Sequence, residues 1–186
     1  MDTDIARRLQ EVKDNLPAMI EAASAFKDKY QLVLAKAPSL DDDYYAPFLQ
    51  GKDIKAVSDK TYALLSHSTA ALVTSGTATL ETALFGVPQT VCYKTPVPRL
   101  IRFAFNHVLK VRFISLVNLI ADREVVSELF AERFSVAQIR DDLRSILPGG
   151  SRREAMLQGY DDVASRLGHT SAPDNAARIM VKLLKG

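Results

Sequence analysis

The residues whose types and spacing point most directly to chemistry lie at positions 73–81, which read Val-Thr-Ser-Gly-Thr-Ala-Thr-Leu-Glu. The apolar run before them predicts a strand, and the spacing after them predicts a helix that begins at Ser75, Gly76 and Thr77. Because small side chains leave the backbone open, N–H groups at this helix N-terminus can approach phosphate oxygens, and the helix dipole favours their negative charge. The motif therefore predicts an anion site between a strand and a helix.

Glu81 lies on the first or second turn of the same predicted helix. A carboxylate repels a phosphate but accepts hydrogen bonds from a diol, so Glu81 suits the ribose hydroxyls of a nucleotide better than its diphosphate. The alternative is structural: small residues begin a buried helix whose apolar face is Leu80, Ala83 and Leu84. Ser-Gly-Thr alone does not separate these two interpretations.

The elements that must position this motif alternate between strands and helices along the first 98 residues. Strands are predicted at 30–35, 53–58, 70–74 and 89–93, and helices at 7–26, 41–49, 61–67 and 77–85. Further helices are predicted at 99–112, 123–132, 136–147, 152–167 and 175–184, with Ser135 and Ser151 as N-caps. The pattern predicts a single α/β domain over 1–186, with a Rossmann-like parallel sheet covered by helices on both faces over 1–98 and a mainly helical part over 99–186.

Composition narrows the classes of function. The chain is 47% hydrophobic and 25% charged, which is typical of a globular protein. Its net charge of +2 is too small to argue for nucleic acid binding, so no nucleic acid is expected as a partner. The single cysteine, Cys92, excludes an internal disulfide and fits a reducing compartment. No apolar run approaches the ~20 residues that span a bilayer, and the first residues are charged, so we expect a cytoplasmic protein. The scattered histidines and the acidic run at 41–43 do not have metal-ligand spacing, so neither a metal nor a cofactor is expected.

The order of Ser-Gly-Thr, Glu81, Gly86-Val87-Pro88 and an apolar strand resembles the nucleotide-binding core of the GT-B superfamily, whose C-terminal Rossmann-like domain holds UDP-sugars. Three blocks are similar to lipid-A-disaccharide synthases in particular: residues 8–12, residues 73–81 together with 91–94, and residues 115–126. The resemblance extends from about residue 6 to residue 184. It implies that the chain is the C-terminal, nucleotide-sugar-binding half of such an enzyme.

Members of that family join UDP-2,3-diacylglucosamine to 2,3-diacylglucosamine 1-phosphate (lipid X), which releases UDP and forms the β-1,6-linked lipid A disaccharide. The resemblance implies these two lipids as substrates. It also implies that Ser75, Gly76 and Thr77 contact the diphosphate and that Glu81 contacts the ribose.

A second nucleotide-facing block of the family matches Asn118, Arg123 and Glu124. Arg123 is the natural cation for the diphosphate, because a planar guanidinium can hold two oxygens at once. The structural alternative is that Asn118 caps a helix and Arg123 is a solvated charge.

The family opens this domain with a strand that ends in Gly-Ser-Arg, and the aligned residues here are Ala6, Arg7 and Arg8. We expect Arg8 to lie near the sugar nucleotide, on a loop that lacks the family's glycine turn and preceding strand. The N-terminal acceptor domain, with its proposed catalytic base, is absent from these residues. The catalytic residues are therefore expected outside this chain, which should be inactive alone and should associate as a homo-oligomer or with a separately encoded N-terminal half.

Basic and apolar residues interleave at 99–112, a composition that suits peripheral contact with the inner membrane. The alternative is a core-packing helix with snorkelling basic ends. Two other functions fit the nucleotide motif: a UDP-N-acetylglucosamine 2-epimerase-like enzyme and a non-catalytic nucleotide-binding module. The block at 115–126 argues against the epimerase.

Overall fold

The computed structural model describes residues 3–74, 76–94 and 113–168, and its strands form two parallel sheets. The first sheet pairs β1 (Leu32–Ala35) with β2 (Ile54–Val57). The second has β4 (Gln89–Tyr93) between β3 (Ala71–Val73) and β5 (Ser127–Phe130). Parallel sheets flanked by helices confirm the predicted α/β fold.

Helices connect these strands along the described part of the chain. They are α1 (Thr3–Ser24), α2 (Asp42–Leu49), α3 (Thr61–Leu65), α4 (Gly76–Leu84), α5 (Leu116–Ala121), α6 (Val136–Ile146) and α7 (Arg153–Leu167), with a 3-10 helix at Ala131–Arg133 after β5. Helices α5 and α6 each have a serine as N-cap. The side chain of Ser115 accepts a hydrogen bond from the N–H of Asn118, and that of Ser135 accepts one from the N–H of Gln138. Among the described residues, none of the helices is both long and apolar enough to cross a membrane.

The long helix α1 packs against both sheets. Leu16 and Ile20 of α1 lie in one apolar cluster with Leu34 of β1 and Ile54 of β2. Farther along α1, Ala22 is fully buried in a second cluster with residues of β4, β5 and α6. A single helix therefore holds together two sheets whose strands do not pair with each other in the described structure.

The predicted helix at 123–132 is wrong. Residues 127–130 form β5, which pairs with β4 in parallel, because the open edge of β4 offers backbone partners that a local pattern of charges does not reveal. The short helix α5 was not predicted, and α7 begins at Arg153 after Arg152, so Ser151 is not its N-cap. The mainly helical part over 99–186 thus contributes a strand to the sheet. The helices predicted at 99–112 and 175–184 lie outside the described residues, and the membrane contact assigned to 99–112 stays a prediction.

Candidate functional site

The predicted anion site lies where β3 leads into α4. Helix α4 begins at Gly76, and Thr77 is exposed in its first turn, as expected from the sequence; Ser75 lies outside the described residues. Among the described residues, a Cβ added at Gly76 would meet one atom within 4 Å, the carbonyl oxygen of Ile114 at 3.9 Å. The described part of the chain therefore leaves the first turn of α4 open at Gly76, and the residues that lead into α5 lie beside it.

The buried face of α4 is more polar than expected. Thr79, Thr82 and Ala83 are buried, whereas Leu84, assigned to the apolar face, is 55% exposed. The Thr79 hydroxyl donates to the Gly76 carbonyl (2.5 Å) and the Thr82 hydroxyl donates to the Ala78 carbonyl (2.7 Å). Hydroxyls satisfied within the helix can be buried at little cost.

Glu81 is half-buried on α4, where the hydroxyl of Tyr62 on α3 donates to its Oε1 over 3.3 Å. The Tyr62 ring stacks on Phe85, with 5.5 Å between centroids and 12° between planes, and both rings are partly exposed. Tyr62 thus orients the Glu81 carboxylate, whose oxygens can each accept further hydrogen bonds from a ligand diol. Sequence reasoning missed Tyr62, because nothing in a short apolar helix indicates which tyrosine meets an acid 19 residues later.

Asn118 is completely buried, and its side chain makes four hydrogen bonds within the protein. Its Oδ1 accepts from the N–H groups of Val125 (2.7 Å) and Val126 (2.9 Å). Its Nδ2 donates to the Val126 carbonyl (2.9 Å) and to Oε1 of Glu128 (2.9 Å). A side-chain amide has two donors and two main acceptor positions, so Asn118 is fully occupied in fixing the segment between α5 and β5.

Glu128 on β5 is a buried carboxylate that sequence reasoning also missed. Its Oε1 accepts from the Ser115 N–H (2.9 Å) and hydroxyl (2.8 Å), and its Oε2 accepts from the Ile114 N–H (2.9 Å). These donors include orphan N–H groups at the start of α5, so the carboxylate is stabilised by several charged hydrogen bonds. Glu128 and Asn118 together hold the segment that approaches Gly76.

Arg123 and Glu124 lie on the exposed segment after α5. Arg123 faces α7, and Glu124 faces Arg152, just before α7. Nη2 of Arg123 is 3.5 Å from Oδ2 of Asp162, and Oε1 of Glu124 is 3.9 Å from Nη2 of Arg152. A hydrogen bond from Arg166 lowers the pKa of the Asp162 carboxyl, and the charge of Arg123 lowers it further. Arg123, which the sequence predicts to bind the diphosphate, is therefore paired with the Asp162 carboxylate.

Arg8 lies in the second turn of α1, which runs without a break through the positions where the family has Gly-Ser-Arg. The physical reason is that Ala6, Arg7 and Arg8 are good helix formers and no glycine ends the helix there. The Arg8 side chain lines a groove between the two sheets, and Gly76 and Glu81 line the same groove. The structure thus brings three of the predicted site residues to one groove.

The comparisons with known proteins agree on one family. A family profile described as lipid-A-disaccharide synthetase matches residues 4–179. The chain is 35% identical over 182 residues to the lipid-A-disaccharide synthase of Myxococcus xanthus (strain DK1622), covering 95% of this chain and 47% of that protein. It is 32% identical over 184 residues to that of Nitrosococcus oceani, covering 96% of this chain and 47% of the relative.

The synthase of Gloeothece citriformis (strain PCC 7424) is 35% identical over 187 residues, covering 92% of this chain and 46% of that protein. The chain spans about half the length of the curated relatives it matches. The profile covers most of the 186 residues, including α4 and the segment that Asn118 fixes. The chain therefore belongs to the lipid-A-disaccharide synthase family.

Proposed function

We propose that this chain is the donor-binding half of a glycosyltransferase of lipid A biosynthesis, which holds UDP-2,3-diacylglucosamine while its sugar is transferred to lipid X. The products are lipid A disaccharide 1-phosphate and UDP. The observation that carries the proposal is the family match over residues 4–179 in a chain where Gly76 and Glu81 line one groove. Because the chain spans about half of its relatives, the groups that bind and deprotonate the acceptor are assigned to the other half.

The diphosphate is assigned to the open first turn of α4. Backbone N–H groups at the N-terminus of a helix have no partners within the helix, and the helix dipole stabilises a negative charge there. That same charge develops on UDP as it leaves the sugar, so these N–H groups would stabilise the leaving group in the transition state. Glu81, oriented by Tyr62, is assigned to the ribose hydroxyls.

Arg123 is assigned to the diphosphate as well, which would replace Asp162 as its partner when the nucleotide binds. Its pair with Asp162 is solvent-exposed and 3.5 Å long, and exposed ion pairs contribute little net free energy. A diphosphate offers several oxygens to the guanidinium fork and more negative charge than one carboxylate. Exchanging Asp162 for the nucleotide is therefore favourable.

Asn118 and Glu128 are assigned a positioning role. Both are buried, and their hydrogen bonds hold residues 114–115 and 125–126 in place. Arg123 and Glu124 lie between Asn118 and this second backbone segment. The resemblance implies that Asn118 belongs to the nucleotide-facing block, and its contacts support a role through the backbone that carries Arg123.

Calorimetric titration of UDP into two variants at one position tests the proposal. Gly76→Ala adds a Cβ whose nearest neighbour among the described residues is 3.9 Å away, so UDP binding should persist. Gly76→Val places a branched side chain over the first N–H groups of α4 and should weaken UDP binding by at least about tenfold, which is 1.4 kcal/mol. Unchanged affinity in the valine variant, or no binding of UDP by the wild-type chain, would refute the assignment.

A further inference from the structure

Two aromatic side chains lie stacked at the surface beside Glu81. The rings of Tyr62 and Phe85 are nearly parallel, with 12° between their planes and 5.5 Å between their centroids. Tyr62 is 59% exposed and Phe85 is 42% exposed, and the neighbouring Leu84 is 55% exposed. Single exposed apolar residues are ordinary on a protein surface, but a contiguous apolar patch points to a binding site. The ring pair therefore presents flat apolar surface to a ligand.

Both rings adjoin the carboxylate that is assigned to the ribose. The Tyr62 hydroxyl donates to Oε1 of Glu81 over 3.3 Å. The Phe85 N–H donates to the Glu81 carbonyl over 3.1 Å, so Phe85 continues the helical pattern of α4 and lies one turn beyond Glu81. Residues four positions apart are neighbours on the surface of a helix. The patch is thus joined to Glu81 through the side chain of Tyr62 and through the backbone of Phe85.

The order of these groups along α4 matches the order of the parts of a nucleotide. The diphosphate is assigned to the first turn at Gly76 and the ribose to Glu81. At a rise of 1.5 Å per residue, Glu81 lies about 7.5 Å along the helix axis from Gly76, and Phe85 lies about 6 Å farther on. A nucleotide that lies along α4 in this direction carries its base, which is attached to the ribose, to the ring pair.

We propose that Tyr62 and Phe85 form a stacking platform for the uracil base of the donor nucleotide. The inference rests on the proposed function, because it takes the ribose to lie at Glu81. Stacking of one base on an aromatic side chain contributes enough binding energy to be measured by substitution of that side chain. Neither residue lies in the three blocks that carry the family resemblance, so the resemblance assigns them no role.

The acyl chains of the donor do not compete for this patch. They are attached to the glucosamine, which is bonded to the diphosphate at the end opposite the ribose. With the diphosphate at Gly76 and the ribose at Glu81, the glucosamine and its acyl chains extend away from Phe85. The base is therefore the part of the donor that reaches the ring pair.

Calorimetric titration of UDP and of dihydrouridine diphosphate tests the proposal. The dihydro base keeps the N–H and both carbonyl groups of uracil, but its saturated C5–C6 bond puckers the ring, which prevents flat stacking. Tyr62→Leu and Phe85→Leu each remove one ring, whereas Tyr62→Phe removes only the hydroxyl that donates to Glu81. Leu84→Ala is the matched control, because Leu84 is exposed beside Phe85 and has no ring. Far-UV circular dichroism checks that each variant is folded.

The wild-type chain should bind UDP at least about fivefold more tightly than dihydrouridine diphosphate, the lower end of the contribution of one base stack. Each leucine variant should reduce this ratio. Tyr62→Phe should weaken both ligands and keep the ratio, and Leu84→Ala should leave the ratio unchanged. In NMR spectra, the H5 and H6 protons of bound UDP should shift upfield through the ring currents, and the shift should shrink in Tyr62→Leu.

Equal affinity of the wild type for the two ligands would overturn the platform and leave the donor-binding role standing. No binding of UDP by the wild type would overturn both. A ratio that is unchanged in both leucine variants would place the base elsewhere. A ratio lowered as much by Leu84→Ala as by Tyr62→Leu would mean that any apolar surface suffices, and a ratio lost in Tyr62→Phe would assign the effect to the hydroxyl. Each of these last results contradicts ring stacking.

Discussion

Replacing the buried Asn118 by alanine should destabilise the protein more than replacing an exposed or half-buried polar residue. The substitution removes an amide that is completely buried and makes four internal hydrogen bonds. It leaves the N–H groups of Val125 and Val126 and the Val126 carbonyl without their partners in a buried segment. Glu128 loses one donor but keeps those from Ser115 and Ile114.

The magnitude follows from the number of groups left without partners. A buried polar group without a hydrogen bond costs about 1–3 kcal/mol, and relaxation of the segment or entry of water recovers part of that cost. We expect a loss of about 3–5 kcal/mol in the free energy of unfolding for Asn118→Ala, a large fraction of the total of about 5–15 kcal/mol for a domain. With a urea dependence of about 2 kcal/mol per M, the midpoint should fall by about 1.5–2.5 M.

Urea unfolding followed by far-UV circular dichroism measures this loss, since the chain has no tryptophan. Thr82→Val is the matched control: Thr82 is buried too, but its hydroxyl donates only to the Ala78 carbonyl, within the same helix. The control should lose no more than about 1 kcal/mol. A difference of under about 1 kcal/mol between Asn118→Ala and Thr82→Val would refute the view that Asn118 holds this segment.

Three further outcomes follow from the contacts. Glu81→Gln should weaken UDP binding by about 1–2 kcal/mol. If the wild type and the variant lose the same affinity when UDP is replaced by 2′-deoxy-UDP, Glu81 does not contact the ribose. Gly159→Ala should destabilise the chain by about 1–3 kcal/mol, despite the better helix propensity of alanine, because its Cβ would lie 2.4 Å from Cγ1 of Val125. Adding Val125→Ala should recover part of that loss in thermal unfolding, and no recovery would contradict the clash. Arg123→Ala should weaken UDP binding by about tenfold, whereas Asp162→Ala should tighten it, and the reverse order in calorimetry would exclude the exchange of partners.

Local patterns were sufficient for the elements around α4. Strand β4 was predicted with its observed bounds, because an apolar run between the turn residues Gly86 and Pro96 is a local signal. The start of α4 at small residues and the N-cap at Ser135 are equally local. Such features depend on a few neighbouring residues and can be inferred from a single sequence.

The misassigned segment at 123–132 shows what local patterns leave out. Its charges have helical spacing, yet residues 127–130 form β5 because β4 offers a free edge and Asn118 fixes the backbone just before the strand. Other contacts between residues distant in sequence hold Glu128 against the start of α5 and bring Tyr62 to Glu81. Residues that act through tertiary neighbours were therefore missed, although the family motif around Gly76 was found.

The most direct test of the proposed donor-binding role measures formation of lipid A disaccharide from UDP-2,3-diacylglucosamine and lipid X, with and without an added acceptor half from the Myxococcus xanthus relative. The two separated halves of that relative, mixed together, serve as the positive control. Orientation of reactants is worth about 7–11 kcal/mol and general base catalysis about 10²–10⁴-fold, so a donor half alone should be inactive. We predict product only when the acceptor half is added. Product formed by this chain alone, or no product with an acceptor half that is active in the control, would contradict the account.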